Sequence, residues 1–213
     1  MPTAAHRRLH ARLIVVLLRA VLGLLLRLAY RVRRVDTDRL PARGPALIVA
    51  NHVTFIDWLF LAVLCRRPVR FVMHHRYYRL PVLGWICRLA GAIPIAGRHE
   101  DQRVLDAALD TIDAALAAGE AVVFFPEGSL TRDGEVASFR PGVDWILARR
   151  PVPVVPVALR GLWGSRFSRA RERADRRWFR PTLEVVCGAA VPAPQASRDA
   201  LFAHVTALRG AHR

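Results

Sequence analysis

The chain has 213 residues, 53% of them hydrophobic, and a formal net charge of +16. It is long enough for one domain with a substantial core, and a chain both apolar and basic is typical of proteins that bind an anionic membrane surface or a nucleic acid. Its three cysteines are odd in number, widely spaced and without a C-x-x-C pair, which argues against a disulfide framework or a zinc site and indicates reduced thiols in the cytoplasm.

The N-terminal stretch 13–30 is an apolar run interrupted by arginines. No small-residue cleavage site follows it, as a signal peptide would require. Its uninterrupted apolar runs are also much shorter than the about 20 residues that a simple membrane span needs. The stretch is therefore predicted to be neither a secretion signal nor a simple transmembrane helix.

A helical projection separates the arginines of this stretch from its leucines. At about 100° per residue, the arginines share an arc of roughly 120°, and Leu, Val and Ala occupy most of the remaining surface. We predict that residues 1–34 form a basic amphipathic helix in a membrane interface, with arginines toward phosphates and leucines toward acyl chains. The alternative is a helix packed on the domain with its arginines in water. The arginines of the stripe are Arg12, Arg19, Arg27, Arg31 and Arg34.

Residues 35–213 are predicted to form one domain. A turn at 41–45 separates the N-terminal helix from the body of this domain, in which strands and helices alternate. Such alternation is typical of an α/β fold, here a mixed central sheet flanked by helices. The predicted strands are 46–50, 68–73, a strand ending at 95, 120–126, one within 151–161 and 183–191. The predicted helices are 55–65, one within 81–95, 100–118 and 197–209.

His52 and Asp57 follow the first predicted strand of this domain, in the segment LIVANHVTFIDWLF. Positions i and i+5 of one helix are about 140° apart and cannot meet. Contact therefore requires His52 in the turn before the helix and Asp57 in its first turn, where the helix dipole favours a carboxylate. Such a pair forms the base and orienting acid of a catalytic triad. A capping histidine beside a solvated aspartate is the alternative.

Four sequence blocks in order resemble the glycerolipid acyltransferase family of the lysophosphatidic acid acyltransferase type. They are NHVTFID (51–57), GAIPIAGR (91–98), VFFPEGSLTRDG (123–134) and PVVPVAL (153–159). The resemblance covers roughly residues 35–190 and is closest in appearance to the acyltransferase domain of bacterial acylglycerophosphoethanolamine acyltransferases. It identifies residues 35–213 as an acyltransferase domain.

The resemblance implies acyl transfer from an acyl-CoA or acyl-carrier-protein thioester to the free hydroxyl of a lysophospholipid such as 1-acyl-glycerol-3-phosphate. His52 would be the general base and Asp57 would orient it. No serine or cysteine nucleophile stands in the block, so the substrate hydroxyl would attack. We expect no cofactor and no metal ion, and a peripheral or monotopic place on the cytoplasmic face of a bacterial inner membrane, with membrane lipids as partners.

The resemblance also implies a substrate-binding set around the second and third blocks. In the family the F-P-E-G loop binds the acceptor, and a Thr-Arg pair often follows its glycine. Here Ser129 and Leu130 take those places and Arg132 is displaced by two residues, so the ligand of a substrate phosphate stays open among three arginines. His74 and His75 stand where relatives usually have lysine, and no role is transferred to them. The predicted substrate-binding residues are Asn51, Arg98, Glu127, Gly128, Ser129, Arg132 and Arg140.

Two non-enzymatic alternatives stay open. A basic nucleic-acid-binding module explains the net charge but neither the striped helix nor the ordered blocks, and such modules usually interleave exposed aromatic and basic residues. A non-catalytic lipid-binding protein explains the apolar character, but the intact residues of the blocks argue against it. We therefore expect no nucleic acid partner.

Overall fold

A seven-stranded mixed β-sheet forms the centre of the protein in the computed structural model, which describes residues 4–170 and 180–211, with side chains from residue 16 onward. The strands are β1 (Arg31–Val35), β2 (Ala46–Ala50), β3 (Arg70–His74), β4 (Ile93–Ile95), β5 (Ala121–Phe124), β6 (Val154–Arg160) and β7 (Thr182–Cys187). The helices are α1 (Ala4–Ala29), α2 (Asp57–Leu64), α3 (Pro81–Leu89), α4 (Gln102–Ala117), α5 (Gly142–Arg149) and α6 (Arg198–Arg209). Short 3₁₀ helices cover Thr37–Arg39, His75–Arg79 and Ala193–Gln195.

The strand order is β1-β7-β6-β2-β5-β3-β4. The five strands from β6 to β4 are mutually parallel, β7 is antiparallel to β6, and β1 is parallel to β7. Parallel neighbours end at the same edge of a sheet, so the residues that follow β2, β5, β3 and β4 emerge together. The predicted mixed α/β architecture is confirmed.

Both faces of the sheet are covered, which explains why its central strands are apolar throughout rather than alternating. All five residues of β2 are buried. Leu47 and Val49 belong to the core under α4, α5 and α6, whereas Ile48 and Ala50 belong to the core under α1 and α2.

The N-terminal helix is shorter than predicted. It ends at Ala29, and the next residues form β1, in which Arg31 pairs with Thr182 and Arg34 with Val185 of β7. The prediction that Arg31 and Arg34 lie on the helical stripe is therefore wrong. Backbone pairing with a distant strand overrides the helical pattern there, and Arg12 lies outside the described side chains.

The orientation of α1 also differs from the prediction for Arg19. Its guanidinium donates to the carbonyl of Cys65 at the end of α2, so it faces the domain and not a phosphate layer. Gly23 and Leu26 are buried on the same side. The opposite side of the helix exposes a row of apolar side chains: Leu17, Val21, Leu24, Leu25 and Leu28. Within the described residues, no helix is both long and apolar enough to cross a bilayer.

The helix α5 was not predicted from the sequence. It has only eight residues and lies between Pro141 and the proline-rich segment that precedes β6. Prolines flank the segment at both ends, and Val143, Ile146 and Leu147 pack into the core. Their burial, which depends on the rest of the fold, stabilises a helix too short to persist alone.

Candidate active site

The carboxyl edge of the parallel strands gathers the residues of the sequence blocks. Asn51 and His52 follow β2, Glu127 follows β5, and Arg98 follows β4. The loop 125–140, between β5 and α5, contributes the remaining predicted residues. Because this edge is where the strand ends converge, it is the candidate active site.

His52 and Asp57 make the contact that helix geometry requires. Asp57 is the first residue of α2, His52 lies in the turn before it, and 2.9 Å separates His52 Nδ1 from Asp57 Oδ2. Asp57 is fully buried, whereas the His52 side chain is 21% exposed. A buried acceptor on one side and an accessible ring on the other is the arrangement of a base held by an orienting acid.

The carboxylate of Asp57 is satisfied by its own turn. Its Oδ2 accepts hydrogen bonds from the backbone N–H groups of Val53 (2.6 Å) and Thr54 (2.9 Å), in addition to His52. Its Oδ1 accepts the hydroxyl of Thr54. A buried charge is tolerated when donors compensate its lost hydration. Asp57 therefore orders the loop 52–57 as well as the imidazole.

The remaining contacts fix His52 in position. An ionised Asp57 accepts only, so Nδ1 carries the proton and Nε2 keeps a free lone pair. The ring stacks on Phe125, with centroids 4.3 Å apart. The backbone N–H of His52 donates to Glu127 Oε1 (2.7 Å), and its carbonyl accepts from the N–H of Thr131 (2.9 Å).

Glu127 is buried and joins two segments of the site. Its Oε1 binds the N–H of His52, and its Oε2 accepts the N–H of Ala137 at 2.8 Å. Burial raises the pKa of the Glu127 carboxyl to about 7, although these two N–H donors oppose the shift. The two hydrogen bonds connect the backbone of His52 to the loop 125–140.

Gly128 adopts a left-handed conformation with φ +68°. A Cβ atom there would lie 2.8 Å from Nε of Arg140, and that Nε donates to the carbonyl of Glu127 at 3.1 Å. Glycine is thus needed both for the backbone angle and for the close approach of Arg140. Arg140 packs over this turn, so part of its hydrogen-bonding capacity stabilises the loop.

Asn51 is buried, and its side-chain amide forms two hydrogen bonds with the backbone of β6. Its Nδ2 donates to the carbonyl of Leu159 (3.0 Å), and its Oδ1 accepts the N–H of Leu159 (2.7 Å). These two bonds extend the pairing of β2 with β6 by one step beyond the regular register. Asn51 therefore holds the strand end from which His52 projects.

The other predicted substrate-binding residues are exposed. Ser129 and Arg132 lie in the loop 125–140, and Arg98 lies in the turn after β4, beside a groove lined by residues of α4 and by Trp145 of α5. Exposure leaves these side chains accessible to a ligand. The structure thus brings His52, Asp57, Glu127 and Gly128 into one constellation, with Arg140 packed against its glycine turn. Arg98 and Arg132 lie in two different loops at the same edge of the sheet.

The chain's cysteines contribute no reactive thiol at this site. Cys65, Cys87 and Cys187 are buried and unpaired. Burial raises the pKa of each thiol, to about 12 for Cys65 and Cys187. A thiol is a nucleophile as its thiolate, so these residues are unsuited to covalent catalysis.

Sequence reasoning missed one cluster near the site. His74 and His75, to which no role was given, meet Glu100 across the ends of β3 and β4, and the three side chains are close enough to hold a metal ion. The adjacent histidines were the available signal, but their partner is 25 residues away and only the fold brings it close.

Comparison with known proteins assigns the chain to a family. The family model described as Acyltransferase matches residues 31–160. The chain is 34% identical over 133 residues to a 1-acyl-sn-glycerol-3-phosphate acyltransferase of Chlamydomonas reinhardtii, covering 62% of this chain and 39% of that protein. It is 37% identical over 111 residues to a lyso-ornithine lipid O-acyltransferase of Rhizobium meliloti, covering 52% and 35% respectively. The chain thus spans little more than a third of the length of these curated relatives.

The fold has a solved counterpart. The crystal structure of the 1-acyl-sn-glycerophosphate acyltransferase of Thermotoga maritima superposes with a TM-score of 0.71 at 21% identity, covering 93% of this chain and 78% of that one. At this identity the likeness concerns the fold alone. Since the family model covers more than half of the chain and includes both His52 and Asp57, the protein belongs to the acyltransferase family.

Proposed function

We propose that the protein transfers an acyl group from an acyl-CoA or acyl-carrier-protein thioester to the free hydroxyl of a lysophospholipid such as 1-acyl-glycerol-3-phosphate. The observation that carries the proposal is His52, whose Nδ1 is held 2.9 Å from buried Asp57 while the ring stays accessible at the edge of the sheet. The names of its sequence relatives support the acceptor class.

In the proposed reaction, Nε2 of His52 takes the proton of the acceptor hydroxyl as its oxygen attacks the thioester carbonyl carbon. The tetrahedral intermediate then collapses, the C–S bond breaks, and the proton passes from the imidazolium to the departing thiolate. Asp57 stabilises the imidazolium between these steps. General-base catalysis of this kind contributes about 10²- to 10⁴-fold, and the neutral histidine is regenerated in each cycle.

The nucleophile is proposed to come from the substrate. The high pKa values of Cys65 and Cys187, about 12, leave almost no thiolate at neutral pH. A thioester is already electrophilic, so activation of the alcohol is the step that needs a base. Direct transfer uses His52, whose ring is accessible at the edge of the sheet.

The acceptor is proposed to bind beside the loop 125–140. Gly128 and Ser129 are exposed there, and Arg132, Arg140 and Arg98 supply cationic groups that could pair with a substrate phosphate. Asn51 and Glu127 are proposed to act by positioning the strand end and His52, because their side-chain atoms are engaged by backbone groups.

The enzyme is proposed to work at a membrane surface, on the cytoplasmic face of a bacterial inner membrane. The exposed leucines of α1, Leu24 and Leu28 among them, form an apolar face suited to acyl chains. Phe55, three residues after His52, is also about half exposed. An anionic lipid surface would attract the net charge of +16.

The decisive experiment is an acyl-transfer assay on the purified full chain. Acyl-CoA and acyl-carrier protein serve as donors, with lysophosphatidic acid, lysophosphatidylethanolamine and lyso-ornithine lipid as acceptors. We expect product with at least one pair, and a loss of about 10²- to 10⁴-fold in turnover for His52→Ala. His204→Ala, an exposed histidine on α6, is the matched control and keeps wild-type turnover.

Undiminished turnover in His52→Ala would refute the mechanism. No product with any donor and acceptor, from protein that remains folded by circular dichroism, would refute the proposed activity itself. The panel also separates a phosphate-bearing acceptor from the ornithine lipid.

Membrane association is tested by sedimentation with anionic and with zwitterionic vesicles. We expect Leu24→Asp/Leu28→Asp to reduce binding to both, since the two side chains are exposed and their loss leaves the core intact. The control Ala107→Asp/Ala203→Asp makes the same change of charge on exposed helix positions of α4 and α6. Tighter binding of the wild type to DNA than to vesicles would instead favour the nucleic-acid alternative.

A further inference from the structure

Two imidazoles and a carboxylate converge at the carboxyl edge of the sheet, outside the catalytic pair. His74 is the last residue of β3, His75 begins the following 3₁₀ helix, and Glu100 lies in the turn after β4. One ligand atom from each lies within 4.8 Å of the others. Among the described residues this is the group whose side chains could hold a metal ion together.

Three contacts of the cluster are directed at the carboxylate of Glu100. His74 Nε2 lies 2.8 Å from Glu100 Oε2, and His75 Nε2 lies 3.1 Å from Glu100 Oε1. The guanidinium of Arg76 also reaches Oε1, at 3.0 Å. His74 Nδ1 accepts the backbone N–H of Arg76 at 3.3 Å. The two imidazole rings lie with their centroids 4.8 Å apart.

We propose that His74, His75 and Glu100 bind one zinc ion. Two histidine nitrogens and a carboxylate form a ligand set that zinc prefers, with the fourth position left for water or a ligand. Zinc–ligand bonds of about 2.0–2.2 Å place tetrahedral ligand atoms about 3.4 Å apart. The present separations of 2.8 and 3.1 Å run to the two different oxygens of Glu100. One ligand atom from each of the three residues lies within 4.8 Å of the others, so side-chain rotations must bring the three atoms to the tetrahedral spacing.

Binding requires two local changes. For His74 to bind zinc through Nε2, the ring proton must move from Nε2 to Nδ1, and the backbone N–H of Arg76 must give up its contact with Nδ1. The side chain of Arg76, which is 72% exposed, must also leave Oε1. An exposed ion pair of this kind is worth little, so zinc can replace it.

The site would connect segments that flank the catalytic loop. It joins the end of β3 to the turn between β4 and α4. Tyr77, in the same 3₁₀ helix as His75, contacts the ring of Phe55, three residues after His52, with centroids 6.5 Å apart. Bound zinc would therefore restrain the edge of the sheet next to the proposed acceptor site.

The test is zinc binding by the tag-free full chain, stripped with a chelator and titrated against a chromophoric zinc indicator. We expect one zinc per chain and a cobalt-substituted protein with a tetrahedral absorption spectrum. Glu100→Gln and His74→Gln should each weaken binding at least about tenfold. The control His204→Ala, on α6, should bind as the wild type does.

Arg76→Ala separates a metal site from a simple ion-pair network. The substitution frees Glu100 Oε1 and removes a positive charge that would repel the zinc ion, so zinc should bind several-fold more tightly. If the cluster were only an ion-pair network, the substitution would weaken that network and would not improve zinc binding. Zinc should also raise the melting temperature of the wild type and of Arg76→Ala but not of Glu100→Gln. Absence of zinc binding by the wild type, or equal affinity in Glu100→Gln, overturns the proposal.

Discussion

Asp57 and Glu127 are both buried carboxylates that hold His52, but they do so from different distances along the chain. Asp57 takes its donors from residues 52–54, within its own turn. Glu127 takes one donor from His52, 75 residues away, and another from Ala137, ten residues on. The first binds the imidazole, and the second binds the backbone beneath it.

The difference predicts different roles for Asp57 and Glu127. The hydrogen bonds of Asp57 are local, so they can form together with its turn, and they fix the tautomer of the imidazole. The hydrogen bonds of Glu127 join two loops, so they can form only when the edge of the sheet is assembled, and burial raises the pKa of Glu127 to about 7. We therefore expect Asp57 to act mainly on the chemistry and Glu127 mainly on the placement of the base.

The largest effect is expected from Asp57→Asn. The amide oxygen can still accept from the turn, and its nitrogen can donate to Thr54, so the fold is largely kept. The charge that stabilises the imidazolium is lost, and turnover should fall by about 10²- to 10⁴-fold. The measurement is steady-state kinetics together with urea unfolding.

Asp110→Asn is the matched control, since Asp110 is exposed and pairs with Arg149 across the surface of α4 and α5. It should leave turnover unchanged. If Asp57→Asn were to keep turnover within about tenfold of the wild type, Asp57 would not have the catalytic role assigned to it.

Glu127→Gln should have the next largest effect. The amide oxygen can accept from only one of the two N–H groups, so the other donor is left unsatisfied at a cost of about 1–3 kcal/mol in the free energy of unfolding. Displacement of the base by about 1 Å can lower turnover up to about 100-fold. Urea unfolding and kinetics measure the two effects.

The pH dependence of stability distinguishes Glu127 from other carboxyls. Its folded-state pKa of about 7 lies above the ordinary 4.5, so the folded state binds the proton more tightly. The stability that this group contributes is present in acid and is lost as pH rises from about 4.5 through 7. The wild type should therefore lose stability relative to Glu127→Gln between pH 5 and pH 8. A constant difference would contradict the shift, and Glu120→Gln, at the start of β5, is the surface control.

Gly128→Ala is expected to have the smallest effect of the three. A residue with a Cβ at φ +68° costs about 1–2 kcal/mol, and the Cβ must also displace Arg140. Gly44→Ala is the matched control, because Gly44 has φ +75° but open space around it. The excess destabilisation of Gly128→Ala over Gly44→Ala, measured by urea unfolding, reports the Arg140 contact. Equal values would show that Arg140 adjusts freely.

Much of the fold could be predicted because its signals are local. The apolar run of β2 and the amphipathic pattern of α4 both appear within a few residues of the predicted bounds. The predictions failed where contacts with distant parts of the chain decide the local structure. The segment of β1 was predicted as helix but pairs with β7, and α5, which was not predicted, packs against the core. The arginine stripe of α1 is present in the sequence, but α1 packs on α2 so that the Arg19 guanidinium binds the carbonyl of Cys65.

The sequence by itself determined the turn that holds the proposed catalytic pair, because His52 and Asp57 are five positions apart and helix geometry allows only one way for them to meet. The tertiary structure alone decided the surroundings of that turn. Glu127 reaches His52, Asn51 binds Leu159, and Glu100 meets His74 only because parallel strands end at one edge of the sheet. Spacing along the chain encodes contacts within a turn, whereas contacts between strand ends depend on strand order, which no short motif contains.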